Sequence, residues 1–161
     1  MPAVRIEAAA ALAQATEVER ADFYVLDGDD ARERLKFACR VIDKAFGAEQ
    51  HVLVWLDDAA ALQSFDDLLW TFAQDSFIPH EAVSEAANWE DSPVLLSCGA
   101  PPPEGVDVLI NLSTLVPPVA SKATRVIEII DAEPARRVAG RARFKRYREL
   151  GVEPATHTIG G

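Results

Sequence analysis

Lysine and arginine are missing altogether from Ala45 to Ser121, a stretch that carries 12 aspartates and glutamates. Over the whole 161-residue chain, 16 basic residues face 26 acidic ones, for a formal charge of −10. That balance argues against a module that holds duplex DNA by overall attraction to phosphates. Long hydrophobic runs are also missing. None approaches the roughly 20 apolar residues needed to cross a bilayer, so no membrane span is expected. Cysteine is scarce: Cys39 and Cys98 are too few for a disulfide framework and read as two reduced, packed thiols. His51, His80 and His157 lie far apart, and no Cys/His pair has zinc-ligand spacing, so no structural metal is expected. The opening MPAVRIEAAAALAQATEVER carries Glu7, Glu17 and Glu19 and lacks a basic start followed by an apolar block. It does not read as a secretory signal, and the cytoplasm is the expected compartment.

What is present is a regular alternation. Residues 1–20 read as an N-terminal extension, helical or frayed, and residues 21–161 as a single domain. ADFYVLD (21–27) is a short, branched and aromatic run of the kind found in buried strands. Residues 31–46 place Leu35, Ala38, Cys39, Ile42 and Phe46 at helical spacing, with Gly47 as a stop. A second strand at 51–56 is followed by a helix over 59–72, whose Leu62, Phe65, Leu69 and Phe72 form an apolar side. Further strands follow at 93–98, 106–112 and 124–130, then a helix over 133–150 that ends at Gly151 and an extended tail. Strands alternating with helices predict an α/β, Rossmann-like three-layer fold with a mostly parallel sheet and helices on both faces.

Such sheets commonly bind ligands at the carboxyl ends of their strands. Here the first strand is followed by Gly28 alone, with neither a dinucleotide fingerprint nor a Gly-Lys-Ser/Thr loop, so no nucleotide-binding loop and no cofactor are expected. Asp27, Asp29 and Asp30 after strand one, with Asp57 and Asp58 after strand two, would supply hard oxygen ligands for Mg²⁺ if those strands were neighbours. That alternative is a phosphoryl-transfer or phospho-acceptor protein. Against it stands the reading of these aspartates as helix caps and first-turn carboxylates. No serine sits in a Gly-x-Ser-x-Gly elbow, and no catalytic site is expected.

The segment Arg136 to Arg148 reverses the charge of the body, with seven basic residues and no acidic one. On a helix, Arg137, Arg141, Phe144, Lys145 and Arg148 share a face. Three readings fit it: a solvated helix face, a site for an acidic peptide with an apolar anchor, or a direct nucleic-acid contact. The charge of −10 disfavours the last. A second feature is Leu68-Leu69-Trp70-Thr71-Phe72 running into Ser76-Phe77-Ile78-Pro79-His80. Leu69 and Phe72 fit the buried stripe. Trp70 falls off it and, with Phe77, would make an exposed aromatic pair suited to a protein partner.

Three motifs carry a resemblance: Phe23-Tyr24-Val25-Leu26-Asp27, Asp66-x-x-Leu69-Trp70 with Ser76-Phe77-Ile78-Pro79-His80, and Arg141-x-Arg143-Phe144-Lys145-x-Tyr147-Arg148. Together, over about residues 21–158, the chain resembles the chi subunit of the bacterial DNA polymerase III holoenzyme. The resemblance implies a Rossmann-like fold without nucleotide and a non-catalytic connector in the clamp-loader assembly. It implies binding of the acidic C-terminal tail of the single-stranded DNA-binding protein by Arg137, Arg141, Lys145 and Phe144, with Ile130 and Val152 as apolar walls. Arg141 would take the terminal carboxylate bidentately, and Phe144 stands where the family often has tyrosine. Trp70 and Phe77 match the surface facing the psi subunit, for which a repair helicase is an alternative partner. No strong direct DNA binding is implied.

Overall fold

A computed structural model describes residues 18–72 and 77–159. Seven strands form one all-parallel sheet: β1 (Arg20–Leu26), β2 (Val52–Trp55), β3 (His80–Ala82), β4 (Val94–Ser97), β5 (Val108–Asn111), β6 (Arg125–Ile130) and β7 (Ala155–Ile159), in the spatial order β3-β4-β2-β5-β6-β1-β7. Helices α1 (Ala31–Gly47), α2 (Ala59–Thr71) and α3 (Pro134–Glu149) complete the three layers. Every residue of β2, β4 and β5 is buried, as a sheet covered on both faces requires.

The two-residue repeat of a strand divides these residues between two cores. Val52, Val54, Val94, Leu96, Val108, Ile110, Ile127 and Ile129 meet Ile42 of α1 and Phe65 and Leu69 of α2. Leu53, Trp55, Leu95, Leu109, Val126 and Ile130 turn the other way, toward Tyr147 of α3 and the small side chains Ala120 and Ala123. The helices start where the sequence places acceptors. Asp30 accepts from the Arg32 N–H, Asp58 from the Ala61 N–H, and Glu133 from the N–H groups of Ala135 and Arg136, each satisfying donors that a first turn leaves unpaired. At the end of α3, Gly151 adopts φ +91°, and the Val152 N–H returns to the Tyr147 carbonyl.

Several sequence expectations need correction. Residues 1–17 lie outside the described residues, but 18–20 are part of the folded unit. Arg20 opens β1, the Glu19 N–H donates to the Thr124 carbonyl, and Val18 packs on the second core. Helix α1 does not stop before Gly47. It runs through it, and the left-handed conformation falls on Glu49 at φ +60°. Cys39 is buried, whereas Cys98 is exposed just beyond β4 rather than packed. Three elements were not anticipated: strand β3, a 3-10 helix at Pro118–Lys122, and strand β7 in place of an extended tail. β3 has three residues, too few to show a period, and exists because it pairs with β4. β7 is mostly polar and pairs with β1 as the sheet edge.

Candidate peptide-binding cleft and second surface

Helix α3 separates its seven cations into two groups. Four are tied to carboxylates: Arg136 to Asp131 (2.7 Å), Arg143 to Glu128 (2.9 Å), Arg146 to Glu149 (3.2 Å) and Arg148 to Glu153 (2.7 Å). The Arg137 guanidinium donates to the Asp131 backbone carbonyl, and among the described residues none of Arg137, Arg141 and Lys145 has a carboxylate partner. Two of these three, Arg137 and Arg141, line a cleft of about 360 Å³ whose other walls are Phe23, Val25, Ile130, Gly140, Phe144 and Thr156. No carboxylate lines it. The cleft is therefore an apolar trough with two guanidinium groups on its helical side.

Each wall has a local origin. Phe23 and Val25 sit two apart on β1 and face the same way. The half-buried Phe144 ring lies 5.0 Å from Phe23, and the Arg148 guanidinium covers it at 4.9 Å from the ring centre. Gly140 lets α3 come down onto β6. A Cβ there would stand 2.7 Å from Ile130 Cδ1 and 3.2 Å from Cγ1. Of the residues expected at this site, Ile130, Arg137, Arg141 and Phe144 come together. Lys145 is exposed one turn beyond Arg141 and lies outside the lining. Val152 is buried in the second core and is not a wall. Phe23, Val25, Gly140 and Thr156 escaped sequence reasoning. The Thr156/Thr158 alternation in β7 was the signal available for the last.

Beneath the cleft, the same helix holds a buried polar network. Glu128 on β6 accepts from Arg143 Nε, the Asn111 amide at 2.8 Å and the Tyr147 hydroxyl at 2.8 Å. Burial pushes the Glu128 carboxyl up, against the pull of Arg143 and the two hydrogen bonds, and burial together with Glu128 raises the Tyr147 hydroxyl. Arg143 also donates to the Thr114 carbonyl, so the network ties α3 to the loop after β5. This arginine, part of the Arg141-x-Arg143 motif, is structural.

The magnesium alternative required β1 and β2 to be neighbours, and β5 and β6 lie between them. Asp30 and Asp58 serve as helix caps, and Asp57 accepts from the Thr114 N–H and hydroxyl. The aspartates therefore do not converge, and among the described residues no group of three or more His, Cys, Asp or Glu side chains could hold a metal. No helix among the described residues is long and apolar enough to cross a membrane.

On the opposite side of the molecule, Trp70 at the end of α2 is 43% exposed and Phe77 is 71% exposed, with ring centres 5.4 Å apart. Leu69 is buried and Phe72 packs against the first core, as the apolar stripe predicts.

Comparison with known proteins adds the decisive observation: residues 18–155 match the family described as DNA polymerase III chi subunit, HolC. The chain belongs to the DNA polymerase III chi subunit family. Its curated relatives include the DNA polymerase III subunit chi of Pseudomonas aeruginosa, 38% identical over 140 residues that cover 87% of this chain and 96% of that one. The chi subunits of Haemophilus influenzae and Escherichia coli K12 are each 26% identical, covering 97% and 99% of their own lengths. As a member of this family it is an accessory, non-catalytic subunit of the polymerase holoenzyme with a role in DNA replication. Solved structures of like fold are T4 UvsW, with a TM-score of 0.61 over 89% of this chain and 42% of that chain, and Mss116p DEAD-box helicase domain 2 bound to an RNA duplex, with a TM-score of 0.58 over 87% and 64%. Both are 10% identical to this chain, so they speak to fold alone.

Proposed function

We propose that this chi-family chain is a binding adaptor of the replisome, whose α3 cleft takes the acidic C-terminal tip of the single-stranded DNA-binding protein. One observation carries the reading: cations on α3 that lack a carboxylate partner flank an apolar trough, on a protein whose net charge is −10. A cation already neutralised by a neighbour has little to offer an incoming anion, whereas Arg141 and the Arg137 guanidinium beyond its Nε keep donors for one. Arg141 takes the terminal carboxylate, Phe144 and Ile130 receive an apolar side chain, and Lys145 adds long-range attraction from beyond the rim. The acidic remainder repels bare DNA. The second surface, Trp70 and Phe77, links the adaptor to the psi subunit, or to a repair helicase in its place.

Isothermal titration calorimetry with an acidic peptide ending in Pro-Phe tests the cleft. Binding should weaken with added salt, with C-terminal amidation and with Arg141→Ala. Undiminished binding by Arg141→Ala overturns the site assignment.

A further inference from the structure

The motif residues Asp66, Trp70, Phe77 and His80 meet in one cluster. His80, the first residue of β3, is fully buried. Its Nδ1 lies 2.7 Å from the Ile78 carbonyl, and its Nε2 lies 3.2 Å from Asp66 Oδ1 on α2, within ion-pair distance but off the line of a well-formed hydrogen bond. The imidazole also lies against the Trp70 indole, ring centres 3.9 Å apart, and Trp70 in turn lies against Phe77. The His80 ring thus stands between the Asp66 carboxylate on α2 and the Ile78 carbonyl of the segment that carries Phe77.

We propose that Asp66 and His80 form a clasp that holds Trp70 and Phe77 as a preformed platform, and that this platform takes a partner segment bearing an apolar anchor flanked by lysine or arginine. This rests on the reading of Trp70 and Phe77 as partner-facing. The clasp joins the two chain segments that carry the aromatic pair, so less side-chain freedom is lost when a partner docks. The partner's charge follows from the surroundings. Asp67 is exposed one helical turn before Trp70, and the whole span 45–121 supplies 12 acidic residues and no lysine or arginine. An acidic partner would meet repulsion from Asp67. The two ligand surfaces of the molecule thus ask for opposite charge, which keeps a tail meant for α3 away from α2.

A phage-displayed peptide selection on the full chain, counter-selected on Trp70→Ala, tests both parts. Peptides that need Trp70 should carry an aromatic or aliphatic anchor with neighbouring Lys or Arg, and Asp67→Lys should weaken the best of them by about tenfold. Neutral or acidic winners, or indifference to Asp67→Lys, overturn the charge assignment. If no enriched peptide depends on Trp70, the partner-facing reading itself fails. The clasp is tested separately by Asp66→Asn, which should move the Trp70 indole N–H resonance in a ¹⁵N spectrum of the full chain. An unmoved indole signal overturns the clasp.

Discussion

Arg141 and Arg143 stand two residues apart on α3, yet replacing each with methionine should have opposite consequences. Arg143 is 4% exposed and is the ionic partner of Glu128, which is fully buried. Arg143→Met leaves that carboxylate with only the Asn111 and Tyr147 donors, and removing one member of a buried pair costs about 3–5 kcal/mol. For a domain of this size, each kcal/mol is worth roughly 2–4 °C, so the melting temperature should fall by about 6–20 °C. Arg141 is exposed and without a carboxylate partner among the described residues, and Arg141→Met should stay within about 0.5 kcal/mol of the parent. Its loss should instead weaken the acidic peptide by roughly ten- to a hundredfold, the value of one hydrogen-bonded charge contact. Scanning calorimetry and titration calorimetry on the same preparations separate the two effects. Adding Glu128→Gln to Arg143→Met removes the stranded charge and keeps an acceptor for Tyr147, so at least half of the lost stability should return. If Arg143→Met melts with the parent, or if Arg141→Met destabilises as much, the division of α3 into structural and ligand-facing cations is wrong.

Gly140→Ala places a methyl group 2.7 Å from Ile130 Cδ1 and must displace that side chain; a loss of about 1–3 kcal/mol and weaker peptide binding are expected, and calorimetry showing neither would remove Gly140 from the site. Acid should weaken the fold through Asp22. Burial pushes its carboxyl up, but hydrogen bonds from His157, Arg20 and Arg125 outweigh it and bring it to about 2. The contribution of a carboxyl held below its unfolded value is present above about pH 4 and lost as pH falls toward 2, whereas Asp22→Asn should flatten that limb in a chemical-denaturation series over pH. Of the two thiols, only exposed Cys98 should react with a disulfide reagent in the native state, since Cys39 is buried and its thiol is pushed up to about 12; equal labelling of both would contradict the packing of α1.

The layered fold was legible because its signals are local. Short apolar runs in β2, β4 and β5, and helical spacing in α1 and α2, announce their elements without reference to anything distant. β3 and β7 carry no such signal, being short or polar strands that exist through pairing with β4 and β1. At the α3 cleft, helical periodicity placed Arg137, Arg141 and Phe144 on one side, and the structure adds Phe23, Val25 and Thr156 from strands distant in the chain.

Composition alone determined that α3 is the cationic exception in an acidic protein, because charge content needs no fold to be counted. The order of residues, alternating strand-like and helix-like apolar patterns, likewise points to an α/β architecture without a phosphate-binding glycine loop. What composition cannot divide is seven similar cations. Glu149 pairs with Arg146 along α3 itself, but Asp131 and Glu128 beside and on β6, and Glu153 beyond α3, neutralise Arg136, Arg143 and Arg148 because the fold brings each within about 3 Å. Tertiary structure likewise decided that the Asp27 and Asp57 loops stand apart, because strand order is set by packing across the whole sheet and leaves no mark in the residues of either loop.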